Sequence, residues 1–129
     1  MKAPDFLTLA DVVEIHKDQI ILYGGEYGIR DIRLLESALA QPEASFAGEW
    51  LHADLYEMSS AYAFHICMNH PFLDGNKRAA LASALVFLEI NHVSLLDPGE
   101  KLRKAMLQMA DSQMSKKDFA ALLKDLPQE

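Results

Sequence analysis

The sequence predicts an all-α domain of about six helices. Three observations carry this. Half of the 129 residues are apolar while only six are glycine, the balance of a compact helical protein. Apolar side chains recur at helical spacing through most of the chain, with turn residues between the runs. Side chains suited to helix N-caps stand just ahead of several of those runs. The length fits one domain over residues 1–129, able to bury about two-thirds of its unfolded surface without staples.

The elements follow in order. Thr8 with Asp11 forms a capping box that opens a first helix, running to about Leu22. Three glycines in five residues at Tyr23-Gly24-Gly25-Glu26-Tyr27-Gly28-Ile29-Arg30 predict a turn or short hairpin. Asp31 caps a second helix that Pro42 stops, and residues 43–53 are expected to be irregular or a short helical turn. A third helix covers Asp54 to Asn69. Lys77 to Asn91 is a fourth, and its Ala-Ala-Leu-Ala-Ser-Ala-Leu-Val-Phe-Leu run is apolar all round, which places it at the centre of a bundle. Val93 to Leu96 suits a short strand. Asp97-Pro98 reads as a cap followed by proline at the first helical position, opening a helix with Leu102, Ala105, Met106 and Met109. Ser115 with Asp118 caps the last helix, which carries Phe119, Leu122, Leu123 and Leu126.

Composition narrows the function. A net charge of −7 argues against a broad electrostatic grip on nucleic acid. The lone Cys67 excludes an intrachain disulfide and suits a reducing compartment. No signal peptide is expected at the start, and the apolar run Ala79–Leu88 is too short to span a bilayer. The expectation is a cytoplasmic protein without membrane contact. The chain has neither a Walker loop nor a G-x-G-x-x-G turn.

Chemistry concentrates in His70-Pro71-Phe72-Leu73-Asp74-Gly75-Asn76-Lys77-Arg78. Pro71 disfavours the helical conformation at His70, so the third helix should end there with the imidazole at its C-terminus. Gly75 and Asn76 are the residue types that take positive φ most readily. A turn of N–H groups leading into a helix N-terminus is an anion site. Lys77 adds charge, and Arg78 can grip phosphate oxygens bidentately. Asp74 is a hard oxygen ligand of the kind Mg²⁺ takes singly or in pairs alongside substrate phosphates. Phe72 reads as the anchor that packs the loop on the core. The bland alternative is an ordinary interhelical loop with a solvated Lys-Arg pair. The combination of a base, a carboxylate, an anion turn and two cations within nine residues outweighs it. His16, His52, His65 and His92 are scattered with no metal-site spacing, and His16 and His65 lie in helical patterns and read as packed or surface residues.

This nonapeptide resembles the core motif of the Fic/Doc superfamily and, within it, the Doc (death-on-curing) toxins. The likeness extends to Tyr23–Asp31, to Leu34–Leu39 and to Asn91-His92. The resemblance implies a compact helical bundle with a central motif helix and a short flap. It implies a cognate antitoxin, and transfer from a nucleoside triphosphate, with Mg²⁺ and ATP as co-substrate, to a protein hydroxyl. By position, His70 would be the catalytic base, with Arg78 and Lys77 completing the catalytic set. Asp74 would hold Mg²⁺, and Gly75, Asn76, Lys77 and Arg78 would bind the nucleotide. Tyr23, Gly24, Gly25, Gly28, Ile29 and Arg30 would form the flap that docks the protein substrate.

Departures from the family pattern separate its branches. Adenylyl-transferring members have a second glycine where this chain has Lys77 and a second arginine where it has Leu81. Doc-type members share the lysine, lack that arginine, and are kinases that present the γ-phosphate to a threonine of elongation factor Tu, arresting translation. Pro71, Gly75 and Ala79 lean the other way. An internal inhibitory helix is not found, since Ser45 and Glu49 are followed by Trp50. The sequence therefore leaves a Doc-like kinase first, a nucleotidyl transferase second, and a non-catalytic binding module third.

Overall fold

The computed structural model describes residues 3–129. Among these residues there are six helices: α1 (Leu9–Tyr23), α2 (Ile32–Ala40), α3 (Leu55–Asn69), α4 (Asn76–Ile90), α5 (Lys101–Ala110) and α6 (Lys116–Asp125). One two-stranded antiparallel sheet joins them, β1 (Ser45–Phe46) with β2 (Glu49–Trp50). The all-α expectation therefore holds. Among the described residues, no helix is long and apolar enough to cross a membrane.

Helix α3 is the hub, packing on α2, α4, α5 and α6, while α4 lies against α1, α3 and α5. The reason is side-chain size. Ala63 of α3 and Ala79, Ala80, Ser83 and Ala84 of α4 are fully buried, so the two backbones approach closely. Ser59 donates to the Ala84 carbonyl at 2.8 Å across that seam. Larger residues fill the flanks, where Phe87 packs on Phe6 and Tyr62. The Tyr62 hydroxyl in turn accepts from the Leu7 backbone at 2.9 Å.

The caps explain most helix starts. Thr8 and Asp11 form the reciprocal capping box. Asp31 accepts from Arg33 and Leu34, Asp54 from Glu57, and Ser115 from Asp118.

Four local expectations need correction. Residues 45–50 form a β-hairpin rather than an irregular or helical stretch. Its turn residues Ala47 and Gly48 both take positive φ (53° and 82°), the geometry of a tight two-residue hairpin loop. Helix α5 starts at Lys101, three residues beyond Pro98. The Asp97 carboxylate still caps it, reaching forward to the Lys101 and Leu102 N–H groups at 2.9 and 2.8 Å. The Val93–Leu96 strand reduces to a single bridge between Leu95 and Gln128. The Gly-rich segment after α1 forms no hairpin with itself. Instead it runs as a strap beside the motif loop, with an Ile29–Phe72 bridge.

Candidate active site

The motif loop is the connection between α3 and α4. His70 caps α3 in the left-handed conformation (φ 49°, ψ 53°), outside the right-handed helical region that Pro71 disfavours. Phe72 is buried in the core and anchors the loop. Gly75 precedes α4 at φ 73°, and Asn76 is already the first helical residue. Positive φ is thus needed at Gly75 and not at Asn76.

The Asn76 side chain is committed to the loop. Its Oδ1 accepts from the Phe72 N–H at 2.9 Å and its Nδ2 donates to the Phe72 carbonyl at 3.0 Å. Nδ2 also lies 3.3 Å from His70 Nδ1, which leaves Nε2 on the far side of the ring. Asn76 can therefore offer an anion its backbone N–H, while its amide sets the loop and steers the imidazole.

His70, Leu73, Asp74, Gly75, Asn76, Lys77 and Arg78 line one cleft of about 340 Å³. A larger cavity of about 550 Å³ lies between Trp50, Leu55, Met58 and Asn91, but among the described residues no lysine or arginine lines it. An anionic ligand belongs in the smaller, cationic cleft. Among the described residues the salt bridges are Arg103–Glu100 and Lys124–Asp54. Lys77 and Arg78 take part in neither.

The Asp74 carboxyl is held below the usual carboxylate range. The Glu26 N–H is the largest cause and the Gly75 N–H the next, at 3.2 and 2.8 Å, with Arg78 adding attraction. It is ionised and solvent-facing, and each oxygen keeps a lone pair after those two bonds. No cluster of three metal-ligating side chains exists among the described residues. The donor set therefore fits Mg²⁺ brought in on triphosphate oxygens, and does not fit a protein-only cage.

The strap lies directly on this site. A Cβ at Gly25 would stand 2.7 Å from Asp74 Oδ2 and 3.3 Å from Arg78 Nη2, so only glycine passes there. The Arg78 guanidinium lies 5.8 Å from the Tyr23 ring centre. Leu73 donates to the Gly28 carbonyl at 3.0 Å, and Arg30 and Asp31 donate to the Pro71 carbonyl at 2.7 and 3.1 Å. Gly24 serves as the C-cap of α1, and Tyr23 is that helix's last residue. Tyr23, Tyr27 and Ile29 are exposed.

Sequence reasoning missed two contacts. Arg30, grouped there with the flap, has its side chain on the end of α3: Nε donates to the His70 carbonyl at 2.7 Å and Nη2 to the Asn69 carbonyl at 3.1 Å. These are carbonyls that a helix terminus leaves without partners. His16, read as a packed or surface residue, is indeed buried, but against the motif. Its ring stacks on Phe72 at 3.8 Å and 3°, and Nε2 lies 2.8 Å from the Asp74 carbonyl oxygen. The only legible sign of it was a histidine among the apolar positions of α1.

The Fic/DOC family model matches residues 6–88. The chain is 41% identical over 75 residues to Toxin Doc of Mycolicibacterium smegmatis, a match covering 58% of this chain and 58% of that protein. It is 37% identical over 90 residues to Protein kinase doc of Escherichia phage P1, covering 70% of this chain and 71% of that protein.

Proposed function

The chain belongs to the Fic/DOC family, and from that membership we propose that it is a Doc-type toxin that transfers the γ-phosphate of ATP to a protein hydroxyl. One observation carries the reading. His70, Asp74, Lys77 and Arg78 open into a single cleft, on a loop that the Asn76 amide and the Phe72 anchor hold in place. Such placement is much of what phosphoryl transfer requires, because catalysis there is largely positioning and charge stabilisation.

In this reading the imidazole of His70 takes the proton from the attacking hydroxyl. Arg78 and Lys77 face the transferring phosphate, and the N–H groups at the start of α4 bind its oxygens. Mg²⁺ on Asp74 would neutralise phosphate charge when bound. The exposed strap, Tyr23 to Arg30, receives the protein substrate beside the cleft. The choice of phosphate over a nucleotidyl group rests on Lys77 and on Leu81, which leaves no second arginine on α4 to hold the triphosphate the other way round. The target expected from the family is a threonine of elongation factor Tu, in the cytoplasm. Restraint of the toxin falls to a separate antitoxin. The name Toxin Doc supports the toxin reading, and Protein kinase doc supports the kinase.

Label transfer tests this. The protein, Mg²⁺ and elongation factor Tu are incubated with ATP labelled at either the α- or the γ-phosphate, with His70→Ala as control. Label from γ alone, lost in the control, is expected. Label from α would replace the kinase with a nucleotidyl transferase. No transfer from either, to this target or to whole lysate, would remove the enzymatic reading.

A further inference from the structure

His16 stands in the first helix, 58 residues from the carbonyl it touches. Its ring is 1% exposed and lies flat on Phe72, itself 1% exposed. The Asp74 carbonyl can only accept, so Nε2 must carry the proton in this contact.

The consequence lies in the peptide unit. The amide joining Asp74 to Gly75 is planar and trans, so its C=O and N–H point in opposite directions. Drawing the carbonyl toward α1 turns the Gly75 N–H the other way, where it donates to Asp74 Oδ1 at 2.8 Å. Gly75, at φ 73° and with no Cβ, has little stiffness of its own to hold that orientation.

We propose that His16 is a positioning residue, which fixes the Asp74–Gly75 peptide so that the Gly75 N–H holds the Asp74 carboxylate in place at the anion cleft. The proposal rests on the nucleotide reading only for what the cleft binds. The bond orients the turn and adds nothing to the reacting atoms directly. It also locks α1, and with it the start of the strap, to the motif loop.

The test compares the wild-type chain with His16→Phe, which keeps the stack and loses the donor, and His16→Gln, which keeps a neutral donor of similar reach. Three quantities are read: the imidazole tautomer by nitrogen-15 NMR at neutral pH, the Gly75 amide resonance, and Mg–ATP affinity by calorimetry. The wild-type ring is expected to carry its proton on Nε2. His16→Phe is expected to displace the Gly75 resonance and weaken Mg–ATP binding about tenfold, while His16→Gln stays within about threefold. A proton on Nδ1, or a His16→Phe protein with an unmoved Gly75 resonance and wild-type affinity, overturns the proposal. If His16→Phe fails to fold, the tautomer and His16→Gln decide. If the wild type binds no Mg–ATP, the nucleotide reading falls, and the Gly75 resonance alone supports or overturns the positioning role.

Discussion

His70 and Gly25 show two kinds of dependence at the level of single residues. The His70 side chain is exposed at the lip of the cleft and makes one long contact, to Asn76. Little of the fold rests on it. His70→Ala is expected to lower transfer by about 10²–10⁴-fold, the usual contribution of a general base. Its melting temperature should stay within about 2 °C of wild type, since surface changes of this kind fall within about 0.5 kcal/mol. Retained transfer at the wild-type rate would sink the base assignment. Gly25 is the opposite case, a residue whose lack of a side chain lets the strap lie against Asp74. At φ 118°, and with Asp74 Oδ2 only 2.7 Å from a would-be Cβ, Gly25→Ala must push the strap off the carboxylate. The expected outcome is a loss of about 10²-fold in transfer, of the size that about 1 Å of misplacement produces. Transfer at full rate would show that the strap has no part in shaping the site. The motif residues were legible because their types are diagnostic: a base, a carboxylate, glycine and two cations within nine positions. His16 was not, because its role depends on a contact between positions 16 and 74 that no local pattern encodes.

At the scale of elements, the strap and α3 depend on each other. Arg30 caps the α3 carbonyls of Asn69 and His70, and the Arg30 and Asp31 N–H groups close on Pro71. Arg30→Leu removes the two side-chain bonds and leaves the backbone pair. A cost of about 1 kcal/mol is expected, given the exposure of the guanidinium, which corresponds to a melting temperature lower by roughly 4 °C. Hydrogen exchange should also rise across Gly28–Leu73 contacts while α5 and α6 stay protected. Uniform exchange over the whole chain would argue against a local clamp. Helices with a capping side chain next to their first turn, α1, α2, α3 and α6, were legible to within a residue or two. Each misread element has its own physical cause. The α5 start was hidden because Asp97 caps from four residues away across a Pro98-Gly99 turn. The β1–β2 hairpin was hidden because its turn uses Ala47, a residue type that rarely takes positive φ. The strap was hidden because its partner strand is the motif loop, more than forty positions along the chain.

At the scale of the whole molecule, a half-buried polar cluster lies on the side of α3 that faces α6. His65 sits between the edge of Phe64 and the ammonium of Lys116, with Lys116 Nζ 3.1 Å from its Nε2. The Lys116 carbonyl accepts from Ser60 at 2.6 Å, so the first residue of α6 is tied to α3 at both ends. Nε2 must be unprotonated to accept from Lys116. Burial first, then the charges of Lys116 and His52, bring His65 down to about 4. The unfolded chain titrates this imidazole near its ordinary value of about 6.5. Between those two values the unfolded state binds the extra proton and the native state does not. The stabilisation is therefore fully present above pH 6.5 and is lost as pH falls from there towards 4. Thermal melts from pH 8 to pH 4 should be flat above about pH 7 and decline below 6.5. At pH 5 the His65 share, discounted for partial solvent screening, is about 1 kcal/mol, or roughly 4 °C. His52, which burial also pushes down, adds to the same slope. His65→Gln keeps an acceptor for Lys116 and removes the titration, so its melting temperature should fall less between pH 7 and pH 5 than that of the wild type. An equal fall in both proteins would assign the acid sensitivity elsewhere and free the α3–α6 seam from any dependence on this imidazole.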